Sequence, residues 1–270
     1  MRWGITAGGW MSGLFHRAED RAKAYLDFLH EMGFHAADLP MRGMRDADQP
    51  RIDEIAGLLE DYDIVTVMGL RGGGSPEAME RNERVLERFA KPMRVAAIGT
   101  GLSRDHHHYS REVPLDEWLA QQIENLKPLG ALCQKYGLKA GIHKTTRTAE
   151  DLVTICEGAP GIGINLDTGN ALFIGEDPVK AARVCAPHVC CTHLKDHVIE
   201  PSFSPLAMNF HGAAPGMGDV NLRACWKEFS AGATNLDEIP LLFEIDPCKG
   251  MTQREAAQVA REFADECEKG

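Results

Sequence analysis

The sequence of 270 residues is short of several things, and each shortage excludes a class of protein. It has no run of about 18 uncharged apolar residues, so no membrane span is expected. Its first ten residues, MRWGITAGGW, carry one Arg and no long apolar stretch, which is not the pattern of a secretory signal. Cations are scarce: 29 Lys and Arg stand against 40 Asp and Glu, a formal charge of −11. A nucleic-acid partner needs clustered Lys and Arg, so none is expected. Paired cysteines are missing too. The 8 cysteines (133, 156, 185, 190, 191, 225, 248 and 267) include no CxxC, which argues against a zinc knuckle or a disulfide scaffold. Reduced, mostly buried thiols in a cytoplasmic protein are the expectation. Neither Gly-rich stretch is a nucleotide loop. Residues 7–10 (AGGW) do not fit GxGxxG, and 71–74 (RGGG) lack the closing Gly-Lys-Ser/Thr of a phosphate loop.

What is present is a globular composition, 44% hydrophobic and 26% charged, with a strict rhythm. Short apolar runs at 3–7, 35–39, 64–70, 96–102, 138–143, 161–167, 189–193 and 240–245 read as strands. Between them lie helical patterns. Ala18, Ala22, Tyr25, Leu26, Leu29 and Met32 mark an amphipathic helix over 17–34, stopped by Gly33. Further helices are expected at 51–60, from Ser75 to near Pro92, at 115–136 with a kink at Pro128, from Thr148, at 177–186, at 221–230 and from Thr252. Ser75-Pro76-Glu77 combines an N-cap, a Pro at the first helical position and an acid in the first turn. Thr148–Asp151 and Thr252–Glu255 have the spacing of capping boxes. The last helix should bury Ala256, Val259, Ala260, Phe263 and Ala264.

Strict β-α alternation implies a parallel sheet, and eight units suggest closure into an α/β (β/α)8 TIM barrel, with residues 1–270 as a single domain. In such a barrel the reactive groups stand at the C-terminal strand ends. Strands five to eight end in His143, Asp167, His193 and Glu244. Two imidazoles and two carboxylates suit one divalent ion. The period of two puts Asp167, His193 and Glu244 on inward faces, with Lys195 inward beside His193, and sends Phe243 and Ile245 toward the helices. Asp38 ends strand two. The run Asp105-His106-His107-His108-Tyr109 follows strand four and reads as a rim loop, while His16 and His35 read as structural or surface residues.

The segments Leu166-Asp167-Thr168-Gly169-Asn170, His193-Leu194-Lys195-Asp196, residues 215–220 (PGMGDV) and Phe243-Glu244 together resemble the xylose isomerase-like TIM-barrel superfamily of sugar-phosphate isomerases and epimerases, which includes ketose 3-epimerases and inosose dehydratases. They span roughly the last half of the chain. The resemblance implies that Asp167, His193 and Glu244 bind a divalent metal. The family's usual fourth ligand is a Glu at the end of strand five, where this chain has His143. The family often has His three residues after the strand-six Asp, where this chain has Asn170. In the family's epimerases two glutamates exchange the substrate proton on opposite faces, so His143 alters that symmetry; it stands as ligand or as acid/base.

The expected activity is a metal-dependent isomerisation or epimerisation of a sugar or polyol, by proton abstraction next to a carbonyl through an enediolate. Glu244 and His143 are the catalytic candidates. Lys195, Asn170 and His211 are the candidates for substrate binding. The cofactor is one divalent ion, Mn²⁺ first, with Co²⁺, Fe²⁺, Mg²⁺ or Zn²⁺ as alternatives. The competing outcome at the same site is a lyase or dehydratase acting on a keto-sugar, keto-glycoside or inosose. An endonuclease of apurinic DNA would need more ligands and a basic groove. A non-catalytic sugar-binding barrel is the remaining class. Self-association into a homo-oligomer stays open.

Overall fold

A computed structural model describes residues 1–39, 44, 46–102, 108–110, 112–204 and 207–269. Eight parallel strands close into a barrel: β1 (Arg2–Thr6), β2 (Ala36–Leu39), β3 (Val65–Gly69), β4 (Val95–Thr100), β5 (Ala140–His143), β6 (Ile162–Asp167), β7 (Val189–Leu194) and β10 (Pro240–Phe243), with β10 completing the ring against β1. The expected (β/α)8 barrel is therefore what the chain forms. The helices between strands are α1 (Arg21–Glu31), α2 (Gln49–Asp61), α3 (Pro76–Phe89), α4 (Leu115–Lys135), α5 (Ala149–Gly158), the short α6 (Asn170–Phe173), α7 (Pro178–Cys185), α8 (Leu222–Gly232) and α9 (Gln253–Lys269). No helix among the described residues is long and apolar enough to cross a membrane.

The capping residues act as their spacing predicts. The Ser75 hydroxyl accepts from the Ala78 N–H, Thr148 and Asp151 bond reciprocally, and the Glu255 carboxylate accepts from the Thr252 N–H at 2.7 Å. The first helix is shorter than the apolar pattern implies. The Asp20 carboxylate accepts from the Lys23 N–H at 3.0 Å and sets the start at Arg21, after a 3-10 segment at Gly9–Leu14. The α4 helix runs through Pro128. In α9 Ala257 joins the buried stripe, while Val259 is only partly covered. The pattern of 196–213 gave no sign of its structure. There the strands β8 (Asp196–Pro201) and β9 (Met208–Ala213) form an antiparallel ribbon outside the barrel. Of the cysteines, all but Cys267 are buried, and all are free thiols.

The barrel interior is filled by small residues below and polar ones above. Ala36, Val67, Ala97, Cys190, Cys191 and Leu242 pack as one inner cluster. Cys190 is skipped where β6 and β7 shift register, an extra residue that turns its thiol inward. Glycines make room for it: a Cβ on Gly141 would stand 2.9 Å from Cys190 Sγ and 3.0 Å from Cys191 Sγ. On the outer side, Phe243 stacks on Trp3 at 5.3 Å and meets Phe263 of α9 edge-on, as the alternation on that strand predicts. Because the inner filling is short, the layer above it can be given to functional side chains.

Closure of the ring depends on close backbone approach at Gly4, where a Cβ would lie 1.9 Å from Ala36 O. A backbone carbonyl cannot rotate aside as a side chain can. We expect Gly4→Ala to cost about 3 kcal/mol, a melting temperature about 6–12 °C lower. A thermal melt unchanged within about 2 °C would show that the strands separate freely there.

Candidate metal centre

Strand alternation lifts one side chain from each of four adjacent strands into the barrel mouth. Gly141, Asn165, Cys191 and Leu242 point inward below, so His143, Asp167, His193 and Glu244, each two residues on, point inward above. Their ligand atoms all lie within 4.8 Å of one another. His143 Nε2 is 3.1 Å from Asp167 Oδ2, His193 Nδ1 is 3.2 Å from His143 Nε2, and His193 Nδ1 is 2.8 Å from Glu244 Oε2. Ligands about 2.1 Å from a common ion stand about 3–4 Å apart, so these separations fit one shared ion. The donor set fits as well. Two imidazole nitrogens facing each other between two carboxylates leave lone pairs converging on one point, which a divalent cation satisfies.

The electrostatics carry the same signature. Burial alone would lower the His193 imidazole, but the hydrogen bond and charge of Glu244, with Asp38 and Asp167, raise it above its ordinary value. Burial works to raise Glu244, yet His193 and Lys195 hold it well below the usual carboxylate range. Lys195 Nζ lies 2.6 Å from Glu244 Oε1, 3.6 Å from Asp167 Oδ2 and 3.8 Å from Asp246 Oδ2. Burial opposes its charge, but those three carboxylates raise it overall.

Outer residues hold the ligands in place. Asn170 donates its amide to Asp167 Oδ2 at 2.7 Å and to Lys144 O at 3.0 Å, and its backbone N–H reaches Asp167 Oδ1 at 3.0 Å. Its side chain is thus engaged on the metal centre's outer side. Asp196, next to Lys195, accepts from the backbone N–H groups of His197, Gly216, Gly218 and Val220 at 2.9, 3.0, 2.9 and 3.2 Å. These bonds oppose the burial that raises its carboxyl. A Cβ on Gly218 would come within 2.3 Å of Asp196 Oδ1, which explains the Gly-rich turn at 215–220. Sequence reasoning treated that segment only as a signature; its physical role is to anchor the ribbon beside the mouth.

The mouth itself is a cavity of about 310 Å³ reached by His143, Asn165 and His193 on one side and by Asp38 and Thr100 on the other. Asp38, a strand end for which a place facing the pocket is open from the sequence, lies in the cavity wall. His211 does not reach it. Its Nε2 pairs with Glu200 Oε2 at 3.4 Å on the ribbon, and it lines a separate hollow with Met217 and Cys248. His106 and His107 of the histidine run lie outside the described residues, while the neighbouring Tyr109 hydroxyl donates to Ile174 O at 2.9 Å. His35 sits at the surface against Asp63 O.

Two outcomes follow. An ion bound here must displace the proton that Glu244 favours on His193, so affinity should rise with pH and level off once pH exceeds the raised His193 value. Calorimetric titration with Mn²⁺ at pH 6, 7 and 8 checks this; affinity independent of pH would remove His193 from the ligands. Asn170→Ala frees Asp167 to rotate and should weaken Mn²⁺ binding by about 10–100-fold with the fold retained. Unaltered affinity would mean that the clamp is dispensable.

The sequence profile described as xylose isomerase-like TIM barrel matches residues 26–267. No curated protein matches the sequence. Among solved structures, a D-psicose 3-epimerase of Clostridium cellulolyticum H10, solved with D-tagatose, is similar at TM-score 0.73 and 13% identity, over 100% of this chain and 99% of that one. A xylose isomerase-like TIM barrel protein of Mycobacterium smegmatis in complex with magnesium gives 0.69 and 16%, over 99% and 95%. The 3-keto-D-glucoside 4-epimerase YcjR of E. coli gives 0.71 and 13%, over 99% and 100%. At these identities the structural likeness speaks for the fold. With the profile covering most of the chain, the protein belongs to the xylose isomerase-like TIM barrel family.

Proposed function

We propose that residues 1–270 form a single-domain, divalent-metal-dependent sugar isomerase or epimerase that moves a proton next to a carbonyl. The observation that carries this reading is the convergence of His143, Asp167, His193 and Glu244 within 4.8 Å at the C-terminal mouth of the barrel. The similar solved structures, which include a D-psicose 3-epimerase and a 3-keto-D-glucoside 4-epimerase, support it. When bound, a divalent ion supplies Lewis acidity to a carbonyl and its neighbouring hydroxyl. Mn²⁺ is our first choice, because a mixed imidazole and carboxylate set accepts it readily.

Glu244 is the proton acceptor. One oxygen faces His193 and the other Lys195, so its lone pairs are directed and its charge is kept at neutral pH. Lys195 steadies that carboxylate and offers its remaining N–H groups to a substrate oxygen. His143 serves as the fourth ligand or, with its nitrogen left free of the ion, as the opposing acid/base. Asn170 acts on the substrate only through Asp167, whose orientation it sets.

Elimination is the second reading, and one observation favours it. The strand-five position carries an imidazole where a second carboxylate would return a proton on the opposite face, so proton removal followed by loss of a β-leaving group is chemically open to the same residues. Incubating the Mn²⁺-loaded protein with ketoses and 3-keto-glycosides in deuterated water separates the outcomes by mass spectrometry. Deuterium in the α-position with carbon skeleton intact is the expected result, and a dehydrated or cleaved product would establish the lyase. Glu244→Gln should lower turnover by about 10²–10⁴-fold. No exchange and no product across the panel would refute both readings.

A further inference from the structure

The cavity at the metal centre is lined by polar groups that no atom of the described residues satisfies. Asp38 comes from the end of β2 and points into the barrel, two residues beyond Ala36 of the inner cluster. Its backbone N–H is bonded to the Tyr25 hydroxyl at 3.1 Å, but its carboxylate accepts no hydrogen bond from any described residue. Nor does it pair with a described Lys or Arg. Thr100 Oγ1, from the end of β4, and Asn165 Oδ1, from β6, are buried and also without partners. All three residues line the same cavity as His143 and His193.

Buried polar groups are nearly always bonded, because a lost hydrogen bond to water is not recovered otherwise. The Asp38 carboxylate is only part-buried and keeps its free oxygens turned to the cavity. One buried, unpaired group is an oddity of packing, whereas two around one cavity, beside a carboxylate that opens into it, describe a surface shaped for something that enters it. The chemistry of the three is uniform. An ionised carboxylate and an amide oxygen only accept, and a hydroxyl accepts as readily as it donates. Their complement is a set of donors that carries no negative charge. Around them Gly69, Gly99 and Gly101 leave the wall without side-chain bulk.

We propose that Asp38 and Thr100, opposite the ligands, and Asn165, beneath them, form a hydroxyl-binding lining that selects an uncharged polyhydroxylated substrate and disfavours sugar acids and sugar phosphates. The proposal rests on the sugar reading above and adds the substrate class. Asp38 anchors the chain by accepting from its hydroxyls while the carbonyl end meets His143, His193 and Glu244. A phosphate or carboxylate at the far end would bring a second anion against Asp38 with no donor between them.

The test uses the Mn²⁺-loaded full chain at pH 8 and two pairs of probes: D-fructose with D-fructose 6-phosphate, and D-glucose with D-glucuronate. Calorimetry or ligand-observed NMR reads the affinity of each. Wild type should bind the neutral member of a pair at least tenfold tighter. Asp38→Asn, which keeps shape and removes charge, should bring the two within about threefold, with thermal stability equal or higher. Thr100→Val should weaken the neutral sugar by about five- to tenfold without altering Mn²⁺ affinity. A wild-type preference that persists in Asp38→Asn would overturn the proposal and leave ordered water as the partner of Asp38. Equal binding of neutral and anionic sugars by wild type would overturn it as well. If wild type binds no member of either pair, the sugar reading falls together with it, so the two failures are distinguishable.

Discussion

The mouth of this barrel is governed by the mutual repulsion of lone pairs. Two carboxylates and two imidazoles are held within 4.8 Å, and Lys195 is the cation beside them. Such a cluster is costly in a low-dielectric setting unless positive charge enters it. Lys195 offsets part of that cost by sitting among Glu244, Asp167 and Asp246, and the protonation favoured on His193 offsets more. A divalent ion would satisfy all four donors at once. The cluster exists because the barrel's closure leaves no choice: adjacent parallel strands with inward alternation deliver their end residues to one place.

The surrounding structure can be understood as support for that cluster. Asn170 fastens Asp167 from behind, and Lys144, whose carbonyl accepts the other Asn170 proton, is itself buried against Glu176 at 2.7 Å. Asp196 gathers four backbone N–H groups and fixes the turn at 215–220 to the end of β7. The glycines of the interior serve the same end, since Gly141 and Gly163 leave the space that the Cys190 thiol occupies below the polar layer. Side chains that never touch a substrate thereby determine where the ligands stand.

Much of this was legible before any coordinates. The alternation of runs and helical patterns gave the barrel, the caps at Ser75, Thr148 and Thr252 behaved as local hydrogen-bond rules require, and the parity of residues on strands six to eight directed Asp167, His193 and Glu244 inward. These are short-range properties, written in spacing of two or three to four residues. The antiparallel ribbon of β8 and β9 escaped because it is half exposed and has no buried face to impose an alternating pattern. For Asn170 the residue type permitted a substrate contact, but its amide is taken up by Asp167 and Lys144. His211, a substrate-binding candidate by sequence, stands on the ribbon against Glu200.

The sequence by itself determined which residues stand at strand ends and on which face, because backbone geometry ties both to position along the chain. Only the tertiary structure decided what those residues meet. Lys195 could have faced any carboxylate and faces three; Asp38 could have found a partner and has none among the described residues. The first outcome depends on contacts between different strands and the loops that follow them, the second on the absence of such contacts, and no local spacing encodes either. Pairing across the barrel is set by ring closure and by the volume of the small residues beneath, which is why the metal-binding candidates were readable from one strand at a time and the wall opposite them was not.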